Sequence, residues 1–196
     1  SFSEASALHV ENDYQSYGGI SRGVVLEKLP KHYIRQMHFT PIYKDGGWYA
    51  RIKLVITSLT EDRWDGTVNV TLKNGETEAF LCSETCSMKE NEDELTIETD
   101  EIACKAVSAW APEHPTLYQV TARLQDESGC VIDDLTDRVG FREVRTQGKD
   151  ILLNGKKLQI KGFCRHEDHP QFGCALPLSA IMQDLQLARD MGANSI

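Results

Sequence analysis

Residues 48–58 alternate apolar and polar side chains. Trp48, Ala50, Ile52, Leu54 and Ile56 fall on one side, with Tyr49, Arg51, Lys53 and Thr57 on the other. A period of two marks an extended strand with one dry face and one wet face. Such a strand needs neighbours for its backbone and a cover for its dry side, and an antiparallel sandwich supplies both. The surrounding chain repeats the pattern. Residues 34–43 alternate, and Lys44-Asp45-Gly46-Gly47 forms a tight turn into the strand. Residues 67–72 present Val68, Val70 and Leu72, and Asn74-Gly75 turns the chain into residues 78–82. Residues 95–102, 117–124 and 139–144 supply further strands. About seven short strands over roughly 110 residues predict a mainly β fold, an immunoglobulin-like β-sandwich over 31–144. Trp48, Ile52, Leu54, Val68, Val70, Trp110, Leu117 and Val120 are expected in or against its core.

Beyond residue 144 the pattern changes. Ile151-Leu152-Leu153 and Leu158-Gln159-Ile160 flank Asn154-Gly155, a strong hairpin-turn signal. A cluster of ionisable residues follows in Lys161-Gly162-Phe163-Cys164-Arg165-His166-Glu167-Asp168-His169-Pro170. Residues 177–191 read as an amphipathic helix with Leu178, Ile181, Met182, Leu185, Ala188 and Met191 on one face. Pro177 suits the first helical position and Gly192 the left-handed residue that ends a helix. Asn194-Ser195-Ile196 then begins another apolar stretch. Strand, loaded loop, helix, strand is the repeating unit of a TIM barrel, in which the loops after the strands carry the chemistry. A whole barrel needs about 250 residues, so 145–196 is expected to be its truncated start. A lone unit leaves several apolar side chains in water, at roughly 1.5–3 kcal/mol each if they were fully buried. Its backbone ordering costs about 1–2 kcal/mol per residue. The tail is therefore expected to lean on the sandwich, pair with a second copy, or fray.

With 196 residues, 40% of them hydrophobic, the chain can bury one good core. A net charge of -9 argues against a nucleic-acid partner. No apolar run is long enough to span a membrane, and Ser1 to Ala5 lack the features of a signal peptide. Cys82, Cys86, Cys104, Cys130, Cys164 and Cys174 follow no zinc or CxxC spacing. Disulfides, a metal site and buried thiols are all formally open. Thiols lead, because a chain with a real core does not need cross-links, and that favours a reducing, cytoplasmic compartment.

Three stretches invite chemistry. Residues 84–101 are acidic around Glu90-Asn91-Glu92-Asp93-Glu94, but a charge run is usually a solvated face, and the Asp/Asn ladder and glycine of a calcium loop are missing. Trp110, amid Pro112 and Pro115, is read as a plug at one end of the core, with sugar stacking as the alternative. The 161–170 segment is open to three readings: a charged surface loop, a metal site from Cys164, His166, His169 and Cys174, or a ligand-contacting loop.

The segment from Lys161 to Pro170 resembles the first catalytic-barrel strand of glycoside hydrolase family 2, the β-galactosidase and β-glucuronidase family. Tyr17-Gly18-Gly19-Ile20-Ser21-Arg22 resembles the end of that family's sugar-binding jelly roll. Trp110-Ala111-Pro112-Glu113-His114-Pro115-Thr116-Leu117-Tyr118 and Val139-Gly140-Phe141-Arg142 resemble its immunoglobulin-like middle domain. Leu153-Asn154-Gly155-Lys156 resembles the hairpin that enters the barrel. The family usually has Asn where this chain has Cys164.

The resemblance implies that 1–30 is the remnant of the jelly roll, with Val24-Val25-Leu26 its last strand, and that Arg22 is structural. It implies that His166 contacts the sugar; the charges of Arg165 and Glu167 are read as holding the loop through ion pairs. The parent would be a retaining hydrolase of terminal β-glycosides, nearest to the β-galactosidases by its Arg-His-Glu-Asp-His-Pro form. Its two catalytic glutamates would lie after Ile196, so the set of catalytic residues here is empty and the 196 residues alone should be inert. The parent would take a galactoside-like substrate, and a divalent or monovalent cation and homo-oligomerisation stay open for it. The competing expectation is a non-catalytic immunoglobulin-like module that binds carbohydrate or protein.

Overall fold

The computed structural model describes residues 19–196. The expectations for residues 1–18, including Tyr17-Gly18, lie outside the described residues. Two compact units divide the described chain: residues 28–158, and residues 159–196 together with 19–27.

The larger unit is the sandwich. One sheet has β1 (His32–Lys44) beside β2 (Gly47–Ser58), which also pairs with β5 (Glu94–Glu98) and β6 (Ile102–Cys104). The second runs β4 (Thr77–Met88), β3 (Trp64–Asn74), β7 (Tyr118–Asp126), β8 (Val131–Val139). All of these pairings are antiparallel. The predicted dry face of β2 is buried at Ala50, Ile52, Leu54 and Ile56, with Trp48 half-buried against them. Facing strands contribute Val68, Val70 and Leu72, then Val120, Ala122 and Leu124, with Cys86 and Met88 from β4. Pro41 lies in β1, where an edge strand tolerates a missing donor.

Turn residues match their geometry. Asp45 and Gly46 have φ of 52° and 76°, and Asn154 and Gly155 have 50° and 75°. A type I′ hairpin loop needs left-handed backbone at both positions, which is why Asx-Gly pairs serve here. The Asn154-Gly155 turn joins β10 (Asp150–Leu153) to β11 (Lys156–Lys157), and β9 (Val144–Gln147) pairs with β10 to complete a small third sheet.

Phe141 organises one end of the core. It is fully buried, and its ring meets Phe39, Trp48 and Tyr118 edge-on at centroid distances of 5.4, 5.7 and 5.3 Å. Its carbonyl accepts the Trp110 N–H at 2.8 Å, and Asn154 Nδ2 donates to the Trp110 carbonyl at 2.9 Å.

Several expectations are corrected. Leu117 is 48% exposed, because it precedes β7 and the next residue, Tyr118, takes the core position. Residues 139–144 do not form one strand. The strand there is β8, whose Asp133, Asp134 and Asp137 obscured it, and Phe141 then forms only an isolated bridge to Ala109. An acid-rich strand is at home on a sheet edge. Val24, Val25 and Leu26 are exposed and belong to no strand, since extended backbone without a ladder partner is not held.

In the smaller unit, α1 (Leu178–Asp190) follows Pro177, which caps the helix in extended conformation one residue before the position expected. At the other end Gly192 has φ 88°, its N–H bonds to the Arg189 carbonyl, and the Ala193 N–H bonds to that of Ala188. That pair of bonds is the Schellman motif. Of the predicted apolar face, Ala188 is buried and Ile181 half-buried, while Leu178, Met182, Leu185 and Met191 stay exposed.

Candidate functional site

The segment leaving the hairpin is assigned to no strand, and among the described residues its one bridge is the parallel pair Gly162–Ser195. Asn194 reinforces that bridge. Its Oδ1 accepts the Lys161 N–H at 2.8 Å, its Nδ2 donates to the Gln159 carbonyl at 2.9 Å, and its own N–H reaches the Lys161 carbonyl at 2.8 Å. A side chain at Gly162 would run into the Ser195 carbonyl, whose carbon would sit 2.7 Å from the new Cβ. Glycine is required there by the close approach of the strands.

The charged loop starts at once after this bridge. Arg165 is mostly buried and gives both Nε and Nη2 to Asp184 Oδ2 on α1, at 3.1 and 2.5 Å. Its Nη1 lies 4.0 Å from Glu167 Oε1. The other oxygen of Glu167 pairs with Arg22, whose Nη1 also donates to the Cys174 carbonyl at 2.5 Å. The expected loop-holding role of Arg165 and Glu167 is what the geometry displays, with Asp184 and Arg22 as partners that spacing could not reveal. Farther on, His169 and Gly173 exchange two backbone hydrogen bonds, 3.1 and 2.8 Å. His169 Nδ1 accepts the Gln171 N–H at 3.1 Å, and its ring stacks on Phe172 at 4.9 Å. His166 and Asp168 lie exposed on the stretch between the arginine ties and this turn.

The other candidates take structural places. Glu92 Oε2 accepts the Lys89 N–H at 2.8 Å, and Asn91 supplies left-handed backbone with φ 59°, so Asn91-Glu92 closes the turn between β4 and β5. Trp110 is half-buried beside Gly140, with the Arg142 guanidinium over its ring at 5.1 Å. It borders an open groove of ≈ 620 Å³ that Leu117, Arg138 and Val144 also line. All six cysteines are free thiols, and burial pushes those of Cys82, Cys86 and Cys104 up to about 11. Among the described residues no three His, Cys, Asp or Glu side chains gather as a metal-binding group, so Cys164, His166, His169 and Cys174 do not form one. No helix among the described residues is long and apolar enough to cross a membrane.

A β-sandwich followed by the first strand-loop-helix unit of a TIM barrel is the architecture of a multidomain barrel enzyme. The chain belongs to glycosyl hydrolases family 2: the family's model matches residues 32–142, and that of its TIM barrel domain matches residues 144–196. Among solved structures, a β-galacturonidase from Eisenbergiella tayi, bound to galacturonate, is 54% identical with a TM-score of 0.88, over 100% of this chain and 34% of its own. A β-galactosidase from Kluyveromyces lactis is 29% identical over 100% of this chain and 21% of its length. A putative β-glucuronidase from Formosa agariphila is 31% identical over 95% of this chain and 22% of its length. The chain therefore spans between 21% and 34% of these relatives.

Proposed function

We propose that these 196 residues are a segment of a longer retaining β-glycosidase, and that the parent removes a terminal β-linked galacturonate. The observation that carries this reading is the 54% identity, over the whole chain, to the Eisenbergiella tayi β-galacturonidase. Galactose and galacturonate share the axial 4-hydroxyl and differ in oxidation at C6. One galacto-configured sugar frame thus also accommodates the likeness to a β-galactosidase and the Arg165-His166-Glu167-Asp168-His169-Pro170 form of the motif. A β-galactoside is the second reading, favoured by that motif.

In a retaining mechanism one carboxylic acid protonates the departing oxygen while a carboxylate about 5 Å away attacks the anomeric carbon. Water then hydrolyses the glycosyl-enzyme intermediate. Residues outside this segment supply that pair, so the segment alone turns over nothing. His166 takes part by binding. Its imidazole can donate to one sugar hydroxyl and accept from another, which orients the ring and adds contacts that can strengthen in the transition state.

The test is the full-length protein assayed with aryl β-galacturonide, β-galactoside and β-glucuronide. The expected order of kcat/KM puts the galacturonide first. A galactoside preference selects the second reading, and no hydrolysis of any of the three rejects both.

A further inference from the structure

His166 sits between two residues that are each tied down by a guanidinium. Arg165, on its N-terminal side, is 15% exposed and spends two donors on one oxygen of Asp184. Glu167, on its C-terminal side, takes Arg22, and Arg22 also holds the Cys174 carbonyl. A clamp on residues 165 and 167 fixes the backbone that carries residue 166 from both flanks. The two ties differ in quality. The Arg22–Glu167 pair is about half exposed on both partners, and exposed pairs hold weakly. The Arg165–Asp184 pair has a largely buried guanidinium and a planar fork, which gives direction as well as attraction. It is also anchored on a helix rather than on another loop.

We infer that Arg165 is a positioning residue for the parent's reaction: paired with Asp184, it sets the location of His166 and takes no part in bond cleavage. Arg22 steadies the same loop from the other flank. This rests on the reading of His166 as a sugar contact. A misplacement of about 1 Å in a binding group can cost about a hundredfold in rate, so loss of the tie is expected to show in kcat/KM rather than in stability alone.

The experiment is a double-mutant cycle in the full-length protein, with the aryl β-glycoside it hydrolyses fastest. Arg165→Gln and Asp184→Asn are each expected to lower kcat/KM about 10- to 100-fold. Arg165→Lys, which keeps charge but not the fork, should recover only part of that loss. On a His166→Ala background, Arg165→Gln should cost less than about threefold, because its effect runs through His166. If His166→Ala leaves kcat/KM unchanged, the sugar-contact reading fails. If His166→Ala is damaging but Arg165→Gln costs the same factor with and without His166, or costs nothing, the positioning role is overturned. Should Arg165→Gln fail to fold, Arg165→Lys and Asp184→Asn carry the same cycle.

Discussion

Replacing Phe141 by alanine should be among the most damaging single truncations in the sandwich. The ring is fully buried, and Phe39, Trp48 and Tyr118 all meet it edge-on within 5.7 Å. Deleting a buried phenyl ring costs about 3–5 kcal/mol, because lost transfer energy adds to an unfilled cavity. The backbone around it cannot readily collapse, since the Phe141 carbonyl is bonded to the Trp110 N–H and the Trp110 carbonyl to Asn154. For a unit spanning residues 28–158, an unfolding entropy of about 2.1 cal/mol/K per residue gives roughly 0.28 kcal/mol per kelvin. The expected fall in Tm is then about 10–18 °C. Near-UV circular dichroism reads it directly, because Trp48 borders the cavity. Phe141→Leu, which refills much of the space, should lose no more than about a third as much. A fall under about 4 °C for the alanine variant would show that the aromatic cluster is not what closes this end of the core.

Gly162→Ala should break the parallel bridge, exposing the Asn194 and Ser195 amides to hydrogen exchange while the sandwich melts as before; unchanged protection would mean that the strands can part without loss. His32 is buried against Trp64 with Nε2 unpartnered among the described residues, and burial, helped by the Lys31 charge, holds its pKa below the ordinary value near 6.5. Folding therefore favours neutral imidazole. The stability this contributes is full above pH 6.5 and is lost as pH falls through the lower folded value. His32→Phe should flatten that part of the stability profile in denaturant titrations from pH 8 to 5, and an unaltered slope would remove His32 as its source. At pH 8 a thiol reagent should label exposed Cys130 and Cys164 rapidly, and Cys82, Cys86 and Cys104 only on unfolding, given thiols pushed up to about 11. Rapid modification of all six in native protein would contradict the burial.

Local rules carried the sandwich. The β2 alternation, the Asp45-Gly46 and Asn154-Gly155 turns and the Gly192 helix end each depend on a few adjacent residues, so the sequence displays them. What depends on tertiary partners was less legible. β8 is built from Val131, Ile132, Leu135 and Val139 among three aspartates, and its acids make sense only once it lies at a sheet edge, where Asp133 reaches across to the Ile34 N–H at 2.7 Å. Leu117 and Tyr118 are both apolar enough for the core, and the strand register chose between them. In the candidate site, the charges of the loop were evident and their pairing was not. Arg22 is 145 residues from Glu167, and Arg165 finds Asp184 only because α1 folds back beside it.

Asn194 gives the smaller unit a property that backbone pairing alone lacks. Parallel neighbours usually choose their alignment through a ladder of several rungs, and a sliding error is corrected only when the whole ladder has formed. Here one side chain grips residues 159 and 161 at once, so a slip by a single position loses both grips together. The alignment is gauged by one amide rather than averaged over a sheet. Loss of that one side chain would therefore release the register of the Gly162–Ser195 bridge in a single step.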